Sequence, residues 1–173
     1  MTIKLAGAFL IIISGTASGW VISLQYLKRI EHLQQLQLAL NLFETEISYS
    51  QPMLVEVLLA ISKKIRPPLA DLFEKTGLSL LDNRDCIFAE IWEKELKKNS
   101  SYNCLNCDDL QVLKEWGSQL GSSSLEGQKK INSLTLKKLA QAEEEAREEA
   151  RKKVKISRYG GLLLSLLIVI LMI

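Results

Sequence analysis

The sequence predicts an all-α protein: an antiparallel bundle of about six helices flanked by an N-terminal and a C-terminal transmembrane helix. Three observations predict it. Both ends of the 173-residue chain are apolar, while most of the charge lies between Lys28 and Arg158. Within that middle region apolar residues recur at spacings of three and four, the period of one helix face. Aromatic, glycine and proline residues are few, which disfavours strands and the turns that join them. The division that follows is a transmembrane helix over 1–27, a cytoplasmic helical domain over 28–158, and a short C-terminal transmembrane helix over 159–173.

Residues 5–27 carry no charge. At about 1.5 Å per residue they reach roughly 34 Å, enough for a hydrocarbon core of about 30 Å. Trp20 and Tyr26 stand near the inner end, where interfacial aromatics collect, and Lys28 and Arg29 stop the segment. A cleaved signal peptide is the alternative, with Lys4 as its basic region and Ala17-Ser18-Gly19 as its cleavage site. Against it, apolar residues continue past that site through Val21, Ile22, Leu24 and Leu27. The stretch 159–173 is also charge-free but covers only about 22 Å as a helix. Lys155 and Arg158 can snorkel to ease the mismatch. The run lacks the polar face that an interfacial helix needs, so a short span is favoured. Gly15 and Gly19 form a G-x-x-x-G, a small face on which another helix can pack, and Gly160-Gly161 is a possible counterpart; small residues are also simply frequent in spans. Basic flanks set the orientation: Lys28 and Arg29 after the first segment, and Arg147, Arg151, Lys152, Lys153, Lys155 and Arg158 before the second. They place the middle in the cytoplasm and both termini across the membrane.

In the middle, Ile30, Leu33, Leu36, Leu40, Phe43 and Ile47 form one helical face that continues the first segment without a break. Ser50 and Pro52 end that helix and start another, with Leu54, Leu58, Ile61 and Ile65 as its face. Pro67-Pro68 interrupts it. A short helix over about 69–75 follows and stops at Gly77. Asp82 then caps a helix burying Ile87, Phe88, Ile91 and Trp92, and 99–106 is a polar loop. Asn106 or Asp108 opens a fifth helix with Leu110, Leu113, Trp116 and Leu120 inward. After the turn 121–124, Ser123-x-x-Glu126 reads as a capping box for a last helix that runs on into the second apolar segment. On that helix Ala142, Ala146, Ala150 and Val154 form a narrow stripe suited to close packing on the first helix. Glu143–Arg147, Glu148–Lys152 and Glu149–Lys153 are favourable i,i+4 pairs, each worth about 0.2–0.5 kcal/mol.

Chemistry is not visible. The lone histidine, His32, is expected to be a surface or headgroup contact, with no catalytic partner near it in sequence. Cys104-x-x-Cys107 is one C-x-x-C, whereas a structural zinc needs four ligands; Cys86 is the third and last cysteine. Phosphate loops, H-E-x-x-H and G-x-S-x-G are missing from the sequence. The net charge of +2, without a basic patch interleaved with aromatics, gives no ground for a nucleic-acid partner. No catalytic residue, cofactor or metal is assigned.

Several segments in order carry a resemblance: 36–49 with Glu44-x-Glu46-Ile47, then Pro52-Met53, Phe73 after the proline pair, Trp92, Leu120-Gly121-x-Ser123 with Gln128, and Tyr159-Gly160-Gly161. Their order and the chain length resemble the stage III sporulation protein AB family of endospore-forming bacteria. Ser124 departs from it, standing where an aspartate is expected. The resemblance implies a subunit of the mother-cell-to-forespore channel, similar to the inner-membrane platform proteins of type II secretion, whose cytoplasmic domains are six-helix bundles. It implies as partners the secretion-type ATPase, stage III sporulation protein AA, and the sibling membrane proteins of the channel. It further implies a place in the mother-cell-derived membrane around the forespore. Candidate docking residues on exposed charged faces are Glu44, Glu46, Glu143, Glu144, Glu148 and Arg151. A membrane-tethered scaffold or regulator unrelated to secretion is the other function the residues allow.

Overall fold

The computed structural model describes residues 2–49, 53–82, 87–98, 104–120 and 125–172, with side-chain surroundings given for only part of 2–22 and of 157–172. The described residues form six helices and no strand: α1 (Thr2–Tyr49), α2 (Leu54–Ser62), α3 (Leu69–Asp82), α4 (Phe88–Lys98), α5 (Cys107–Leu120) and α6 (Leu125–Met172). The chain divides into two compact units, Glu31–Glu143 on one side and Met1–Ile30 with Glu144–Ile173 on the other. The long helices α1 and α6, of 48 residues each, contribute to both. They run unbroken into the charge-free ends, as the sequence requires. Among the described residues, no helix is long and apolar enough to cross a membrane.

In the unit Glu31–Glu143, Leu33, Leu36, Leu40, Phe43 and Ile47 of α1 are buried at the predicted spacing, joined by Ala39. Successive contacts pair α2 with α3, α3 with α4 and α4 with α5. Aromatic rings from four helices fill the centre. Trp116 of α5 lies 5.4 Å from Phe43 of α1 and 5.1 Å from Trp92 of α4, with Phe73 of α3 at 5.4 Å from Trp92. The mostly edge-to-face geometry suits the quadrupoles of these rings. The link between α2 and α3 is held to α1: the Arg66 backbone N–H donates to Gln35 Oε1 at 3.1 Å, and its guanidinium pairs with Glu31 at 3.3 Å.

Several local expectations are corrected. α3 does not stop near Gly77 but continues to Asp82. None of the described glycines has a positive φ, so Gly77 is not the left-handed cap it was expected to be. It is buried instead, where a Cβ would lie 3.1 Å from Leu59 Cδ2; the missing side chain is what lets α2 approach. Asp82 accordingly ends α3 and does not cap α4, which begins only at Phe88. Ile87 precedes that helix and is 63% exposed, because its carbonyl, not its side chain, is engaged, accepting the N–H groups of Glu90 and Ile91. Phe88, Ile91 and Trp92 are buried as predicted. On α2, Val57 joins Leu58 and Ile61 inside while Leu54 is only half-buried; Ile65 is buried just beyond the helix end. Of the two candidates for opening α5, Asn106 does so: its Oδ1 accepts from the Asp109 N–H at 2.7 Å, and Asp109 Oδ2 accepts from the Asn106 N–H at 3.0 Å. That reciprocal pair is the capping-box geometry. Ser50, Pro52, Cys86, the 99–103 part of the polar loop and the turn 121–124 with Ser123 lie outside the described residues.

Candidate functional site

The candidate sites are surfaces and the frame that holds them. α6 in the Glu31–Glu143 unit sets that frame. Its inward face is Asn132, Thr135 and Leu139, two polar residues out of three, which apolar periodicity does not detect. Asn132 is fully buried. Its Nδ2 donates to the Leu40 carbonyl at 2.9 Å and to Glu44 Oε2 at 3.0 Å, and its Oδ1 accepts from Trp116 Nε1 at 3.2 Å. One amide thus ties α6 to α1 and α5. Further along, Glu143 accepts from Gln34 Nε2 at 2.8 Å and Gln37 Nε2 at 2.7 Å, so α6 ascends α1 in antiparallel register.

The six candidate docking residues therefore divide. Glu44 is bound to Asn132, Glu46 forms an ion pair with Lys64 at 3.2 Å, and Glu143 holds the two α1 glutamines. Their carboxylates join elements of the fold. Glu144, Glu148 and Arg151 are exposed, and their spacing of four and three puts them on one face of α6. The expectation for His32 is overturned: it is not a surface contact but only 8% exposed, on the α1 turn beside the buried Leu33. Cys104 is half-buried and Cys107 exposed, both as free thiols. Among the described residues no three histidine, cysteine, aspartate or glutamate side chains converge as a metal site would need.

Two carboxylates are electrostatically tuned. Hydrogen bonds from Lys114 and then Lys97 hold Glu93 down from 4.5 to about 2. The Lys138 ammonium and then the Gln111 amide lower Glu115. Glu115 borders a cleft of about 270 Å³ between α5 and α6, lined also by Trp116, Ile131 and Leu134. Each tuned carboxylate is satisfied by lysines of a neighbouring helix, Lys114 of α5 and Lys138 of α6, which makes them interhelix ties rather than acid–base groups.

The second unit brings the two ends together. Arg29 Nη1 lies 3.3 Å from Glu149 Oε2, and Lys153 Nζ sits 5.4 Å from the Tyr26 ring centroid. Each step down α1 is therefore matched by a step up α6. Ala146 and Ala150 are buried and Val154 half-buried, so this part of the alanine stripe is the inward face of α6 here, and small side chains allow the close approach; Ala142, in the Glu31–Glu143 unit, is half-buried. Ser23 is fully buried, its hydroxyl donating to the Trp20 carbonyl at 2.7 Å. Of the predicted i,i+4 pairs, Glu149 and Lys153 are at 3.5 Å. Gly15, Gly19, Gly160 and Gly161 have helical backbones, but their surroundings lie outside the described residues.

Comparison with known proteins agrees with this architecture. A stage III sporulation protein AB of Bacillus subtilis (strain 168) is 30% identical over 170 residues, covering 98% of this chain and 99% of that relative. A solved structure of a stage III sporulation protein AB is 29% identical and superposes with a TM-score of 0.64, over 71% of this chain and 96% of the solved one. The sequence profile of the stage III sporulation protein AB family matches residues 4–173, and the chain belongs to that family.

Proposed function

We propose that this chain is a non-enzymatic membrane platform subunit of a secretion-like channel used in endospore formation, docking a cytoplasmic ATPase to membrane components. The observation that carries the reading is the continuity of α1 and α6, two 48-residue helices that belong both to the helical bundle and to the compact unit holding the apolar ends. Helices shared by the bundle and the apolar ends suit a subunit that links a motor to a membrane. In this reading 5–27 and 159–173 cross the bilayer as an antiparallel pair, with Gly15 and Gly19 packing toward Gly160 and Gly161. The register of Arg29 with Glu149 and Tyr26 with Lys153 supports that pairing, since continued at the same rise it brings Gly19 close to the level of Gly160. The exposed Glu144, Glu148 and Arg151 stripe is the docking face favoured for the motor, because these side chains are accessible while Glu44, Glu46 and Glu143 are engaged within the bundle.

Affinity capture of the full chain from sporulating cells tests the reading. The expected co-purifying proteins are the stage III sporulation protein AA-type ATPase and sibling membrane proteins of the channel, with ATPase recovery reduced by Glu144→Lys with Glu148→Lys. Capture lacking both classes of partner sinks the platform reading in favour of a tethered scaffold unrelated to secretion.

A further inference from the structure

We infer that the α1–α6 pair carries, just inside its apolar ends, a two-helix collar that binds the phosphate headgroups of anionic phospholipids through Lys28, Lys152 and Lys155. The inference rests on the membrane reading above and adds a ligand class and a site. On α1, Trp20, Val21, Leu24, Leu27 and Lys28 are all exposed and fall within an arc of about 120°. On α6, Lys152, Lys155, Ile156 and Tyr159 are likewise exposed, at spacings of three and four. Trp20 is 61% and Ile156 71% exposed, large apolar surfaces that the described residues leave open.

The register fixes their levels. With Arg29 beside Glu149 and Tyr26 beside Lys153, Trp20 stands level with Tyr159, so an aromatic from each helix marks one plane. The lysines lie on the bundle side of that plane, between the levels of residues 23 and 28 of α1. This is about 8 Å of helix. A lipid headgroup layer is about 5–8 Å deep, half the difference between total bilayer and hydrocarbon thickness. The exposed apolar side chains between the lysines suit the acyl boundary, and the ammonium groups suit the phosphates.

Charge selects the occupant. The sequence has no carboxylate side chain before Glu31 and none after Glu149. The one carboxylate level with the collar's upper edge, Glu149, is engaged by Arg29 and Lys153. Lys28, Lys152 and Lys155 are exposed; Glu148, one turn from Lys152, and Glu31, one turn from Lys28 and paired with Arg66, both lie on the side away from the apolar ends, so beyond them and Glu149 the pair carries no carboxylate side chain and the complement at that depth is anionic lipid.

The test uses the full chain reconstituted in vesicles of phosphatidylcholine and phosphatidylglycerol at a fixed ratio, with either lipid brominated to quench tryptophan. The Trp20 signal is isolated as the difference from Trp20→Phe, since Trp92 and Trp116 are buried in the bundle core. Brominated phosphatidylglycerol is expected to quench Trp20 more than brominated phosphatidylcholine by roughly two- to fivefold, and high salt should erase the preference. Replacing the three lysines together by glutamine should remove it, and replacing them by arginine should keep it. Quenching by neither lipid refutes the membrane reading itself. Equal quenching by both, or a preference that survives the triple glutamine change, refutes the collar and leaves the membrane reading standing. Loss of the preference on adding inorganic phosphate at matched ionic strength would assign the lysines to a soluble anion and also overturn the lipid proposal.

Discussion

Trp116 and Asn132 join α1, α3, α4, α5 and α6 of the bundle through ring contacts and hydrogen bonds. The indole touches Phe43, Phe73, Phe88 and Trp92 and donates its single N–H to Asn132, which spends its own two donors on α1. Removing the amide strands a buried donor and leaves a void, so Asn132→Ala is expected to cost about 2–3 kcal/mol of stability, read from the unfolding transition of the full chain in detergent. The two described buried glycines give a contrasting pair. A Cβ on Gly117 would fall within the Trp92 ring, which is pinned by its hydrogen bond to the Leu113 carbonyl. Gly117→Ala should therefore lower stability by about 1–3 kcal/mol. At Gly77 the obstacle is the end of the Leu59 side chain, which is half-buried and can rotate away. There the gain in helix propensity, about 0.8–1.0 kcal/mol, offsets the contact, and Gly77→Ala should unfold close to the parent. Equal destabilisation by both changes would contradict this account of the two contacts.

Between elements, α4 and α5 are joined by burial of Trp92 and by the Glu93–Lys114 ion pair at 2.8 Å. Because Lys114, with Lys97, holds the folded-state Glu93 carboxyl at about 2 against 4.5 for the free group, the contribution of its charge is complete above about 4.5. It fades as pH falls through about 2. Glu93→Gln should thus show a small stability deficit at neutral pH that closes over that acid window, followed as the difference between the two thermal midpoints. A deficit independent of pH would mean the residue acts through packing. The pair is exposed, so the effect is modest beside that of the aromatic core.

At the scale of the whole molecule, the platform reading places the bundle on the cytoplasmic side. Cys107 is exposed at the start of α5 and serves as a reporter of that side. In a Cys86→Ser background, a membrane-impermeant maleimide should leave Cys107 unlabelled in intact cells and label it once the mother-cell membrane is opened. Labelling in intact cells would reverse the orientation. His32 offers a second check: being buried, it should resist modification by diethyl pyrocarbonate in the folded chain and react on unfolding.

The all-helical class, the faces of α1, α4 and α5, the unbroken terminal helices and the inward alanine stripe of α6 were all legible in the sequence. They depend on the 3.6-residue period and on side-chain size, which are properties of a single helix. Gly77, Asp82 and Ile87 were misread because a glycine or an aspartate has the same local propensity whether it ends a helix or packs inside one. Only the approach of Leu59 to Gly77 decides the first, and only the late start of α4 decides the other two. The burial of His32, the polar inner face of Asn132 and Thr135, and the division of the six charged candidates into engaged and exposed groups were likewise invisible. They depend on packing between helices that are distant in the chain, as for Asn132, which bonds Leu40 across a separation of 92 residues. A helical chain with charge-free ends follows from the order of the residues. Tertiary structure alone decided which polar groups close the bundle and which remain free to meet a partner, because a hydrogen bond's partner is chosen by packing in space and leaves no period in the sequence.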